Sequence, residues 1–540
     1  MKFSAIVLAA TALLATSARA AEPPPPKLVV AIAVDQFSAD LFAQYRQTYT
    51  GGMRRLTGGV VFASGYQSHG ATETCPGHST ILTGDRPART GVIANNWWDF
   101  TVSRTAKQVY CAEDPALSDG ATANYVVTAN ALRVPTLGDR MKAADARSRI
   151  VAVAGKDRAA VMMGGKNTDQ IWFWRDKGFA TLPGRTGAPA SVAAVNARVT
   201  QALAKPAPAR LPASCRQSVM PVTSGARTLG VPQARAAGDL VAFRASAELD
   251  DATTDLAVRL VKEMKLGQGP SPDLLAISLS ATDYVGHRYG PGGAEMCAQM
   301  AALDANIGRI LKALDASGVP YVVALTADHG GHDAPERSDL RAQPAEQRLA
   351  PGLALRAVGD AVAAQLGLSG QIIDGEGIAG DIYLTPAVPA AMRPRAIAAL
   401  KARLQADPQV EAVFTAEEIR ATSHPTRAVT EWSLIERFRE SYDAQRSGDL
   451  VVALRPNVTS IIAAGGNSVA THGSPWDYDR RVPIVFYRPG MAGFEQPLPI
   501  ETVDIAPSLA ALIGVRIPAG DVDGRCLDLD AGPADSCKRL

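Results

Sequence analysis

Leu28-Val29-Val30-Ala31-Ile32-Ala33-Val34-Asp35 is a continuous apolar run that ends in an acid. Such a run suits a strand buried on both faces, as in a parallel sheet under helices. The design recurs along the chain. Arg149-Ile150-Val151-Ala152-Val153-Ala154 leads into Gly155-Lys156-Asp157-Arg158, and Leu274-Leu275-Ala276-Ile277-Ser278-Leu279 leads into Asp283. Tyr321-Val322-Val323-Ala324-Leu325-Thr326 leads into Asp328-His329, while Val482-Pro483-Ile484-Val485-Phe486-Tyr487 follows His472 and ends at a Pro-Gly turn. Segments with apolar residues at helical spacing, such as Gln299 to Ala316 and Ile505 to Ile513, lie between these runs. Strands alternating with helices predict an α/β fold. Polar residues gathered at the strands' carboxyl ends predict a ligand crevice there.

Two stretches fit this alternation poorly and are expected to be insertions that cap the crevice. One runs from about 164 to 246 and carries the aromatic cluster Trp172-Phe173-Trp174. The other runs from about 333 to 450, with isolated strands at Asp381 to Leu384 and Val410 to Phe414. A chain of 540 residues has room for two or more lobes.

Residues 1–20 read as a secretory signal: Lys2, the apolar run Ile6 to Ala15, and Ala18-Arg19-Ala20 as a cleavage site. Residues 21–27, with Pro23 to Pro26, form a stiff spacer. No later apolar run is long enough to span a bilayer, so the expectation is a periplasmic or secreted protein with no membrane partner. Cleavage near Ala20 removes two basic residues and takes Lys plus Arg from 55 to 53, equal to the 53 acidic residues. That balance argues against a nucleic-acid partner. Six Cys in an exported chain predict up to three disulfides, and Cys526 with Cys537 closes the shortest loop near the C-terminus. No Cys pair has zinc-ribbon spacing.

Ala71-Thr72-Glu73-Thr74-Cys75-Pro76-Gly77-His78-Ser79-Thr80-Ile81-Leu82-Thr83-Gly84 reads as a loop running into a short helix, with Thr74 as its cap and Gly84 as its stop. A hydroxyl at a helix N-terminus sits where an oxyanion is favoured and can be a nucleophile; the plain alternative is a capped surface helix. The acids and imidazoles at the strand ends supply what could activate it. Asp283 and His287 are four apart, which places both on one face of a helical turn. Asp328 and His329 are adjacent on a Gly-rich loop, and His472 stands on another loop. With Asp35 these make three carboxylates and three imidazoles, a mixed N/O donor set that suits zinc. His332 is expected outside the ligand set, and His69 and His424 as structural residues.

In this order, Asp35, Thr74-Cys75-Pro76-Gly77-His78, Gly91-Val92-Ile93-Ala94-Asn95-Asn96, Asp283-x-x-x-His287, Asp328-His329-Gly330 and His472-Gly473 resemble the alkaline phosphatase superfamily. Within it they are similar to the type I phosphodiesterase/nucleotide pyrophosphatase branch. The resemblance implies a three-layer sandwich with a mostly parallel sheet over residues 28–540, with the two insertions outside its reach. It implies one zinc on Asp283, His287 and His472, and a second on Asp35, Asp328, His329 and Thr74. Thr74 becomes the nucleophile, forming a covalent phosphothreonine, and Asn95 donates to a phosphoryl oxygen. Lys156-Asp157-Arg158 resembles the Lys-x-Arg of periplasmic phosphate-irrepressible alkaline phosphatases, which implies Lys156 and Arg158 as phosphate ligands. It also implies small-molecule phosphate monoesters as substrates; the expected state of the chain is a monomer. On an extended stretch these two cations face the same way. The same scaffold could instead serve a phosphodiesterase or nucleotide pyrophosphatase. A sulfatase would need Cys or Ser at the place Thr74 occupies and Arg where His78 stands.

Overall fold

The computed structural model describes residues 24–119, 125–338, 346–463 and 466–538. The expected signal segment 1–20 and the start of the spacer lie outside the described residues. Among the described residues no helix is long and apolar enough to cross a membrane.

The apolar runs become strands of one ten-stranded sheet. These are β1 (Leu28–Val34), β2 (Val60–Tyr66), β3 (Ile150–Ala154), β4 (Gln170–Arg175), β5 (Gly178–Ala180), β6 (Asp273–Leu279), β7 (Tyr321–Thr326), β8 (Arg481–Tyr487), β9 (Phe494–Glu495) and β10 (Ile500–Glu501). Their order is β9-β2-β8-β7-β1-β6-β3-β4-β5, with β10 beside β2. β1 pairs in parallel with β6 and β7, and β6 with β3, so their carboxyl ends share one edge. β8 is antiparallel to both its neighbours. Its N-terminal end therefore lies at that same edge, which is why His472 precedes its strand while the acids follow theirs.

Every residue of β1 is buried, as a doubly covered strand requires. Leu28, Val30, Ile32 and Val34 face α3 (Ala247–Glu263) and α5 (Ala294–Ser317), packing with Leu256, Leu260, Leu303 and Ile307. Val29, Ala31 and Ala33 face α1 (Thr74–Thr83), α2 (Asp157–Gly164) and α6 (Ile505–Leu512). Each buried Val or Leu contributes roughly 1.5–3 kcal/mol. The small alanines on the second face let α1 and α2 approach the sheet closely.

The two expected insertions behave differently. The stretch 164–246 departs from expectation, because its aromatic cluster is β4, a buried strand parallel to β3 in the main sheet. No described residue of this stretch lines the cavity beside Glu73, Arg158 and His472 at the strands' carboxyl ends. The second stretch forms a lobe around a four-stranded antiparallel sheet. Its strands are Ile373–Asp374, Gly380–Leu384, Leu450–Leu454 and Val410–Thr415, and it has a separate apolar core. This lobe forms a wall of the cavity. Three disulfides, Cys75–Cys111, Cys215–Cys297 and Cys526–Cys537, use all six Cys.

Candidate bimetallic active site

Thr74 is the first residue of α1, and Glu73 precedes it as the N-cap residue without a side-chain cap. The expected cap is thus one residue earlier. Thr74 keeps its hydroxyl at the open N-terminus, and Gly84 ends the helix with a left-handed φ of 78°. Gly77 lets α1 touch the loop after β7: a Cβ there would stand 2.0 Å from the Asp328 carbonyl oxygen. This contact brings the hydroxyl to the acids.

Asp283 and His287 lie on one face of α4 (Ala281–Tyr289), as their spacing predicts. Asp283 Oδ1 is 3.3 Å from His287 Nε2 and 3.4 Å from His472 Nε2. Each ring is aimed by its other nitrogen, with His287 Nδ1 3.0 Å from the Ala470 carbonyl and His472 Nδ1 2.9 Å from that of Thr72. Donation from Nδ1 leaves Nε2 with its lone pair free. Burial pushes His287 down to about 4 despite the Asp283 charge, and burial together with His329 lowers His472. Both imidazoles are therefore neutral near pH 7, the form that binds metal.

The second cluster is built around Asp328. Its Oδ1 accepts the backbone N–H groups of Gln36 and His329, at 3.0 and 2.9 Å. Its Oδ2 is 3.2 Å from His329 Nε2 and 3.2 Å from His78 Nδ1. Asp35 Oδ1 accepts from Ser278 and lies 3.2 Å from His78 Nε2. Asp35, His78 and Asp328 have donor atoms within 4.8 Å of one another, as do Asp283, His287 and His472. His78 has both nitrogens engaged, near the Thr74 carbonyl and Ser278 Oγ. His329 Nε2 has no hydrogen-bond partner among the described residues, nor do Asp328 Oδ2 and Asp283 Oδ1. Buried polar atoms left bare cost free energy. Bare oxygens and a bare ring nitrogen at the centres of two Asp/His clusters fit two metal ions. The stacked His329 and His472 rings, 3.6 Å apart, join the clusters.

Lys156 Nζ lies 2.8 Å from Asp35 Oδ2 and 2.6 Å from Asp283 Oδ2, and it donates to Thr74 Oγ1 at 3.4 Å. Burial opposes its charge, but Asp283 and Asp35 outweigh burial and hold the ammonium protonated. Arg158 Nη2 donates to the same Thr74 oxygen at 3.4 Å. The two cations converge by a route other than the expected one: Lys156 is the extended N-cap of α2 and Arg158 is in its first turn. Asn95 Oδ1 accepts the Cys75 N–H at 2.9 Å, which turns its amide nitrogen away from that bond. Asn96 instead donates to Glu376.

The cavity next to Thr74 has a volume of about 440 Å³ and is lined by Glu73, Asn95, Arg158, His287, His472 and the lobe residue Asp381, among others. Burial, and next to it Glu376, pushes the Glu73 carboxyl up to about 8. His332 is buried beside Glu346 and Tyr478. His69 is fully buried, and His424 pairs with Glu440 at the surface. In the sequence His78 stands out only as part of the Thr74 motif, and Tyr110, Asp157 and Ser278 carry no local pattern that marks them. The spacing of His78 four residues after Thr74, on one helix face, was the signal for the first.

The sequence profile described as type I phosphodiesterase / nucleotide pyrophosphatase matches residues 29–475. The chain is 52% identical over 516 residues to "Alkaline phosphatase PhoD" of Zymomonas mobilis subsp. mobilis, covering 95% of this chain and 89% of that protein. It is 51% identical over 526 residues to "Alkaline phosphatase PhoK" of a Sphingomonas species, covering 96% and 94%. The solved structure of alkaline phosphatase PafA superposes with a TM-score of 0.81 at 24% identity, covering 94% of this chain and 99% of that one. With the sheet, the Thr74 helix and the paired Asp/His clusters in place, the chain belongs to the type I phosphodiesterase / nucleotide pyrophosphatase family.

Proposed function

We propose that the protein is an exported, zinc-dependent phosphate monoester hydrolase, an alkaline phosphatase with Thr74 as its nucleophile. One observation carries the reading: a hydroxyl at a helix N-terminus is reached by both Lys156 and Arg158 between two Asp/His clusters. Two relatives at 51 and 52% identity that bear the name alkaline phosphatase support it.

Asp283, His287 and His472 would hold one ion, and Asp35, Asp328 and His329 with Thr74 the other. When bound, such ions supply Lewis acidity that lowers the pKa of a hydroxyl or water from about 15.7 toward about 7. Thr74 Oγ1 gives up its proton and attacks phosphorus in line, the bond to the ester oxygen breaks, the alcohol leaves carrying a proton, and phosphothreonine forms. Water attacks the same phosphorus in the second step, returning phosphate and the Thr74 hydroxyl. Arg158 binds two phosphoryl oxygens as a fork, and Lys156 acts as a point charge. Asn95 donates its amide to a third oxygen. The three acids against two divalent ions, Lys156 and Arg158 leave a net positive site, which favours a monoester dianion over a diester monoanion.

The test compares initial rates on a phosphate monoester, a diester and a sulfate ester, with zinc and after chelation. Monoester turnover should be fastest and should vanish on chelation. A diester rate above the monoester rate overturns the assignment. Thr74→Ala should abolish turnover while both metals stay bound; retained activity would move the nucleophile elsewhere.

A further inference from the structure

We propose that Tyr110 is a positioning residue for Arg158, holding its guanidinium over the nucleophile; this rests on the monoesterase reading above. Among the described residues the Arg158 guanidinium has two hydrogen-bond partners. Nη2 donates to Thr74 Oγ1 and Nη1 donates to the Tyr110 hydroxyl, each at 3.4 Å, while Nε has none. The first partner is the reacting group itself. Tyr110 is thus the side chain left to fix the fork before substrate arrives.

Three ties fix Tyr110 and the start of α2 together. Its hydroxyl donates to Asp157 Oδ1 at 2.6 Å, and Tyr125 donates to the other oxygen of the same carboxylate. Asp157 Oδ1 also accepts the Arg158 backbone N–H at 2.6 Å, so one carboxylate sets both the phenol and the start of α2. The third tie is covalent: Cys111 follows Tyr110, Cys75 follows Thr74, and the two are bridged. The result is a closed ring, from Thr74 through Cys75, Cys111, Tyr110 and Arg158 back to Thr74. Asn95 is locked into it, accepting the Cys75 N–H on its side chain and the Cys111 N–H on its backbone carbonyl, both at 2.9 Å.

An arginine side chain loses substantial rotamer freedom when it is fixed, and ordering it before binding removes that cost from the binding step. Burial, and next to it Asp157, raises the Tyr110 phenol above its ordinary value, so it remains an O–H donor in the alkaline range.

The experiment is a double-mutant cycle on the zinc-loaded enzyme with Tyr110→Phe and Arg158→Ala, reading kcat and KM on a monoester and a diester. Tyr110→Phe deletes one oxygen and keeps the ring. It should lower monoester kcat/KM about tenfold, the order of one charge-assisted hydrogen bond, and leave the diester value within about twofold. In the Arg158→Ala background the same change should have no further effect. Equal losses on both substrates, or losses that multiply across the cycle, overturn the proposal, as does a silent Tyr110→Phe beside a monoester-selective Arg158→Ala. If Arg158→Ala is itself unselective, the monoesterase reading falls first and takes this inference with it.

Discussion

Lys156→Met removes one charge from the centre of the site while keeping most of the side chain's length. The side chain is buried, with its ammonium 2.6 and 2.8 Å from carboxylate oxygens that belong to the two different Asp/His clusters. At an effective dielectric constant of about 20, each pair is worth roughly 6 kcal/mol of gross attraction. Most of that is offset by desolvation, and breaking a buried pair by removing one partner costs about 3–5 kcal/mol. The expected destabilisation of the metal-free protein lies in that range. The sign with pH is fixed by the direction of the shift. The folded Lys156 is raised above its ordinary 10.5, so its stabilisation is fully present below 10.5 and is lost as pH rises through the folded value. A measurement at pH 7.5 is inside the window. With metal bound, Asp35 and Asp283 have other cations, and the penalty should shrink to about 1 kcal/mol or less. Urea unfolding of both proteins, metal-free and zinc-loaded, gives the four free energies required. Equal destabilisation with and without zinc would show that the ammonium does not stand in the metals' field. Monoester kcat/KM of the loaded variant should fall by about 10²–10³.

Two further changes probe the scaffold. Gly77→Ala inserts a methyl group where the Asp328 carbonyl already stands, so it should cost about 1–3 kcal/mol and weaken zinc affinity by moving α1 from the loop; isothermal titration that finds both unchanged would refute the close contact. Asp250 is fully buried and accepts from the Ala281 N–H and Gln299, and burial pushes its carboxyl up to about 7 from 3.8. The unfolded chain therefore ionises first, and the native protein loses stability between about pH 4 and 7. Asp250→Asn lacks this loss and should gain roughly 4 kcal/mol on wild type between pH 4 and 8; parallel unfolding curves at the two pH values would contradict it.

The strands β1, β3, β6, β7 and β8 were legible because a doubly buried strand must be apolar throughout, and the acids that follow them announce the crevice. β4 was not. Trp172-Phe173-Trp174 satisfies the same burial rule, yet nothing local tells a strand which sheet it joins, and that is decided by the register with Val153 and Ala154. The convergence of Lys156 and Arg158 was legible as an outcome, while the helix start that achieves it was hidden behind a spacing that also suits an extended chain. His78 illustrates the remaining limit. Its partners Asp35, Ser278 and Asp328 are up to 250 residues away, so its surroundings exist only in the fold.

The reversed direction of β8 has a consequence for biosynthesis. Because that strand enters the sheet from the site edge, His472 is supplied by a segment made after the whole second lobe. A chain halted between residues 332 and 472 has Thr74, Lys156, Arg158 and the Asp328 loop, yet its Asp283/His287 cluster lacks His472. On the proposed monoesterase reading, nascent or C-terminally clipped molecules of that length should be hydrolytically silent, with competence arriving only when the last tenth or so of the polypeptide closes the sheet.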